Sequence, residues 1–164
     1  MTRLATSFAT ACIIAILPVQ AAETADTYET VLGGEGETPT SSVVFSEKGC
    51  EEECYSASLG CDPSAGISFD FAAVPSADAA ATIASEKPEI AVKAGGETYA
   101  FPIDELHFVE LTGSWDVSGH LFTDRSAFTA SLIKWASFMA TLGGQSLTLP
   151  VTADVKTWAA ACVK

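Results

Sequence analysis

The sequence predicts a single compact α+β domain, a mainly antiparallel sheet with one long covering helix, two short helices and disulfides. Three observations lead there. Short segments that alternate apolar and polar residues recur from Ser42 onward, separated by turns rich in Gly, Pro and Asp. One segment, 124–142, instead carries apolar residues at helical spacing. Four cysteines outside the N-terminal apolar stretch, Cys50, Cys54, Cys61 and Cys162, bracket the regular part of the chain.

The chain has 164 residues and opens with Arg3, an apolar run from Leu4 to Leu17, Pro18, and Val19-Gln20-Ala21. A basic start, an apolar centre and a small residue at the cut make a secretory signal peptide over 1–21, cleaved after Ala21. The apolar run is shorter than the roughly 20 residues that span a bilayer, so no transmembrane segment is expected after its removal. Cys12 lies inside this run, and the residues before it lack the large aliphatic residue of a lipoprotein signal.

Residues 22–41 are polar and acidic, centred on Gly33-Gly34-Glu35-Gly36-Glu37, and read as a flexible lead-in to the domain over 42–164. Tyr28–Leu32 offers an edge strand and Ser42–Phe45 a better one. Glu51-Glu52-Glu53, between Cys50 and Cys54, reads as a solvated turn. Ile67, Phe69 and Phe71 alternate with Ser68 and Asp70, giving a strand with one buried face that ends at Pro75. Ser76 is placed to cap a short helix over 77–84. Glu89–Lys93 and Thr98–Ile103 form a hairpin through Gly95-Gly96, and 106–111 with 115–122 form another through Thr112-Gly113-Ser114.

Within 115–122, Trp115, Val117, Gly119 and Leu121 share the core face, and Asp116, Ser118 and His120 the wet one. For the long helix, Thr123 or Asp124 is the cap, Phe128, Leu132, Trp135, Met139 and Leu142 form the buried stripe, and Gly143 the left-handed stop. Trp115 and Trp135 read as core residues. A strand over 146–151 and a short helix over 153–161 carrying Trp158 complete the chain. Gly95–Ile103 matches Gly143–Val151 residue for residue in type, 48 positions apart, and each copy follows a strand and then a helix.

Composition limits the function classes. Without residues 1–21 the chain keeps 7 of its 8 basic residues and all 21 acidic ones, a net charge of −14. So acidic a chain disfavours nucleic acid, whose phosphates need a basic patch. A cationic protein is the better-matched partner. The cysteines fit an exported protein of the periplasm or the extracellular space. Their Cys50-x3-Cys54-x6-Cys61 spacing is not that of a zinc knuckle, so disulfides are expected and no metal or other cofactor is assigned. Four cysteines allow three pairings, of which Cys54–Cys61 and Cys50–Cys162 are favoured.

No catalytic residue is assigned, since no serine sits in a Gly-x-Ser-x-Gly elbow. His107 and His120, placed to face each other across the 106–122 hairpin, are with Trp115 and Asp116 the candidate binding residues. The leading expectation is a non-catalytic, exported binding module of unknown ligand. Its specific form is an acidic inhibitor of a cationic protein such as a lysozyme; the competing class is a small hydrolase or metal-dependent enzyme using His107 and His120.

The last 40 residues carry an amphipathic helix ending Met139-Ala140-Thr141-Leu142-Gly143-Gly144, then Leu147-Thr148-Leu149-Pro150-Val151, then a terminal helix. In these features the C-terminal quarter resembles the invasion-associated locus B proteins of bacteria. The Gly-Phe that usually follows their final strand is replaced by Val155-Lys156-Thr157-Trp158, and the cysteine cluster lies earlier than theirs. The resemblance implies an exported, non-enzymatic role.

Overall fold

The computed structural model describes residues 27–33, 41–50, 55–62, 64, 66–74, 77–86, 88–110 and 113–163. The signal peptide with Ala21 and Cys12, most of the lead-in, the Glu51–Glu53 cluster with Cys54, Pro75, Ser76 and Thr112 lie outside them. In chain order the elements are β1 (Tyr28–Gly33), β2 (Ser42–Glu47), β3 (Tyr55–Asp62), β4 (Gly66–Val74), α1 (Ala77–Glu86), β5 (Glu89–Ala94) and β6 (Glu97–Val109). They continue with β7 (Ser114–Leu121), α2 (Arg125–Leu132), β8 (Ser137–Leu142), β9 (Gln145–Pro150) and α3 (Ala153–Cys162).

The strands form one antiparallel sheet in the order β1-β2-β3-β4-β7-β6-β5-β8-β9. Its two end strands, β1 and β9, approach each other, so the sheet curls into a nearly closed barrel. Period-2 patterning explains the inside. Val43 and Phe45, Ala57 and Leu59, Ile67, Phe69 and Phe71, and Phe138, Ala140 and Leu142 all point inward and are buried. Their aromatic rings meet edge to face in a chain that runs Phe45–Phe138–Phe69–Phe101–Phe128, with centroids 5.4–6.4 Å apart.

The long covering helix is not there. Helix α2 stops at Leu132, and 137–142 is strand β8. The spacing of Phe128, Leu132, Trp135, Met139 and Leu142 fits a helix, but Ser-Phe-Met-Ala-Thr-Leu also alternates strictly, and pairing with β5 and β9 satisfies its peptide groups. Trp135, beyond the helix end, is 51% exposed and not core; Trp115 is half-buried; Trp158 is fully buried. Asp124 occupies the α2 N-cap position in a left-handed conformation (φ 58°) without a side-chain cap. Gly143 does take a left-handed backbone (φ 55°), with Gly144 at φ 85°, as the two central residues of the β8–β9 hairpin.

The disulfide pairing also differs. Cys61 is bonded to Cys162 with Cα atoms 5.7 Å apart, which rules out both Cys54–Cys61 and Cys50–Cys162. Residues 55–62 form strand β3; at roughly 3.3 Å per residue, extended chain carries Cys61 about 20 Å from the strand's start, beyond disulfide reach of its near end. Cys50 is disulfide-bonded too, to neither Cys61 nor Cys162. The cysteine cluster is thus tied to the C-terminus, with Cys61 in the place expected of Cys50.

The faint repeat proves to be architectural. β4, α1, β5 and β6 begin at 66, 77, 89 and 97, and β7, α2, β8 and β9 begin at 114, 125, 137 and 145, each 48 positions on. Two β-α-β-β units therefore make up the body of the domain. In the β4–β7 ladder Asp70 lies opposite Ser118, its own equivalent; in the β5–β8 ladder Val92 lies opposite Ala140, again its own equivalent. That self-pairing is what a two-fold axis through both ladders produces, an isologous interface inside one chain. The symmetry breaks at one place. β6 pairs with β7, but the corresponding pairing of β9 with β4 is replaced by the meander β1-β2-β3, whose last strand takes that edge of β4.

Helix α3 packs against β1 and β2. Thr152 caps it through Val155 N, the Thr30 hydroxyl of β1 donates to Asp154 Oδ2 at 2.8 Å and meets Thr152 Oγ1 at 2.7 Å, and Trp158 Nε1 donates to the Ser41 carbonyl. Cys162 then joins β3 through the disulfide. Among the described residues no helix is long and apolar enough to cross a membrane.

Candidate functional site

Side chains that alternate away from the barrel interior on β3, β4, β7 and β6 form an outer face. Directly opposed residues of an antiparallel pair share a face, so Ser58, Asp70, Ser118 and Glu105 make one row across it. Gly60, Ser68 and His120 make a second, and His107 lies opposite Asp116 in a third.

Three members of the middle row are bonded to one another, with Tyr55 at one end. Tyr55 Oη donates to Ser58 Oγ at 3.3 Å, Ser58 Oγ donates to Asp70 Oδ2 at 2.6 Å, and Ser118 Oγ donates to Asp70 Oδ1 at 2.5 Å. One carboxylate thus holds hydroxyls from both neighbouring strands, on the two-fold axis itself. Bonds to an ionised acceptor are the stronger kind, and Ser58 is almost fully buried, so the row locks the register of β3, β4 and β7.

Burial is the main reason that the Tyr55 phenol lies far above its usual range; the charges of Asp70 and Asp116 add to it and the Ser58 bond opposes it. The sign for stability follows. The unfolded chain ionises its tyrosines near pH 10 while the folded one keeps Tyr55 neutral, so this contribution is intact below about pH 10 and lost as the pH rises through the folded value. Between about pH 9 and about pH 11 the urea midpoint of the wild type should fall more than that of Tyr55→Phe; equal falls would show that Tyr55 titrates normally.

The four residues singled out from sequence are placed as follows. His120 and Asp116 lie on the outer face, and His107 shares it, but the two histidines do not face each other. His107 is opposite Asp116, four residues along β7 from His120, a separation of roughly 13 Å for extended chain. His120 Nδ1 instead lies 2.6 Å from Asp104 Oδ2, close enough for an ion pair but too poorly aligned for a hydrogen bond, and its ring stacks on Phe122 at 5.8 Å. Trp115 is on the opposite face, its ring against Phe108 at 5.1 Å. Among the described residues no three His, Cys, Asp or Glu side chains converge to hold a metal ion.

Sequence reasoning missed Tyr55, Ser58 and Asp70 as a group. The alternation of Ser68 and Asp70 places Asp70 on a wet face; its partners are hidden because 55–60 carries no strand pattern.

The class of protein these observations define is a nearly closed antiparallel barrel built from two β-α-β-β units, with a hydroxyl-carboxylate row on its symmetry axis. No family profile, curated protein or solved structure matches the chain.

Proposed function

We propose that this is an exported, non-catalytic binding module whose acidic outer face takes a cationic protein partner, in the manner of a small inhibitor of a lysozyme. One observation carries the reading: β3, β4, β6 and β7 contain no Lys or Arg, while Asp62, Asp70, Asp104, Glu105 and Asp116 stand along them. Like charges gathered on one face of a rigid sheet raise the local potential and steer an oppositely charged partner. Export rests on the N-terminal sequence, and the Cys61–Cys162 disulfide is compatible with an oxidising compartment. Kinship with the invasion-associated locus B proteins would accord with the same non-enzymatic role.

The test is calorimetric titration with a lysozyme as the cationic probe at rising NaCl. Affinity should fall at least about tenfold between roughly 50 and 300 mM, and the double variant Asp104→Lys/Glu105→Lys should lose a similar factor at low salt. Absence of binding, or binding indifferent to salt and to the double variant, would overturn the reading.

A further inference from the structure

The duplication supplies an internal control for the hairpin turns. Both turns are Gly-Gly, at Gly95-Gly96 and Gly143-Gly144, and both join paired strands of the same length of ladder. Only the first is surrounded by groups suited to a ligand. The Trp135 indole packs against Gly95 so closely that any Cβ there would collide with it, and half of the side chain still faces solvent. It is held in place by the tight turn after α2, where Trp135 N donates to the Leu132 carbonyl and Lys134 N to the Ser131 carbonyl.

Beside it Tyr99 Oη donates to Glu97 Oε2 at 2.6 Å, and the Tyr99 ring is fixed against Phe128 with centroids 5.1 Å apart. The Glu97 carboxyl is held below its usual range first by the Tyr99 bond, then by the Ser131 hydroxyl and the nearby Lys134 charge. Ser131 is buried, and its Oγ also reaches the Ala94 carbonyl. A fixed carboxylate and phenol, with the Lys134 charge near that carboxylate, thus share the turn with one half-exposed indole.

In the other unit the corresponding positions hold Gln145 for Glu97, Leu147 for Tyr99 and Ile83 for Ser131, and in sequence Lys87 stands for Trp135. That unit forms the same hairpin, so the fold itself does not require the polar and aromatic set. These are the marks of a side-chain group placed for recognition.

We infer that the β5–β6 turn of the first unit is a saccharide-binding site, with a pyranose ring stacked on Trp135 and its hydroxyls bonded by Glu97, Tyr99 and Lys134. The electron-rich indole face meets the weakly positive C–H face of a sugar ring, and carboxylate, phenol and ammonium provide both acceptors and donors for hydroxyl groups. A peptide occupant is less well matched, because the surface is one ring wide and ringed by polar groups.

The site uses none of the residues of the acidic face, so the two readings fail separately. The experiment is a titration of the whole protein with three probes, the N-acetylglucosamine tetramer, cellotetraose and maltotetraose, followed by calorimetry and tryptophan fluorescence. At least one should bind and shift the fluorescence. Trp135→Ala should weaken that binding at least about tenfold and Glu97→Gln about threefold or more, with each variant keeping a cooperative thermal transition and Glu97→Gln the midpoint of the wild type. Asp104→Lys/Glu105→Lys should bind the sugar as the wild type does. Failure of all three sugars to bind at about 10 mM, or wild-type affinity in Trp135→Ala, overturns the inference.

Discussion

Replacing Cys61 and Cys162 together with serine is expected to lower the stability of the domain by about 4–5 kcal/mol, the largest effect of any change on the surface of the barrel. The bond joins residues 101 positions apart, and closing a loop of that length removes more freedom from the unfolded chain than a short one would. The chain-entropy estimate is an upper value, because compactness of the unfolded chain reduces it. Urea unfolding of the two proteins measures it. A loss below about 1 kcal/mol would mean that α3 stays docked without the bond, through Thr30, Thr152, Asp154 and Trp158 alone.

Phe69→Ala should cost about 3–5 kcal/mol. Phe69 is fully buried on β4, and its ring meets Phe101 at 6.0 Å and Phe138 at 6.4 Å, residues of β6 and β8 that belong to different units. Truncation leaves a cavity where the units interlock, and a barrel of paired strands cannot collapse into it as a loop could. Phe69→Leu should recover a large part of the loss by refilling the volume. If Phe69→Ala and Phe69→Leu unfold at the same urea concentration as the wild type, the aromatic chain is not the centre of the core.

These two residues show what could be read from the sequence. Phe69 was legible: Ile67, Phe69 and Phe71 alternate with polar neighbours, and only one face of a strand can hold three such side chains. The same local rule gave β1, β2, β5, β7, β9 and both predicted hairpins. It failed over 137–142, where the residues satisfy a 3.6-residue and a 2-residue period at once, and the choice belongs to long-range pairing with β5. The correction lies in the repeat: the pattern predicts a strand over Glu89–Lys93 and a helix over its equivalent, 48 positions on.

The disulfide was not legible in that way. Which cysteines meet is set by where β3 and α3 end in space, and β3 was unseen because Ser56, Ala57, Ser58 and Gly60 are small and carry no strong strand preference. The outer-face row shared that fate, since Tyr55 and Ser58 belong to the same strand. The Trp135 site needed both lessons. A tryptophan on a supposed buried stripe becomes a surface group only when the helix beneath it ends early, and Glu97 and Tyr99 gain meaning only from the turn that brings α2 beside them.

The sheet's incomplete closure carries a further consequence for the life of the protein outside its folded core. Among the described residues β1 and β9 are the two end strands of the sheet, and sheet edges recruit strands from neighbouring molecules. Helix α3 packs against β1 and bonds to it through Thr30, so it guards that end of the sheet against self-association as well as contributing to stability. Its hydroxyl and carboxylate contacts with Thr30 set the guard in place, and the covalent tie to Cys61 keeps it there. Loss of the disulfide is therefore expected to raise self-association of this barrel as well as to lower its stability, which light scattering of the double serine variant would register.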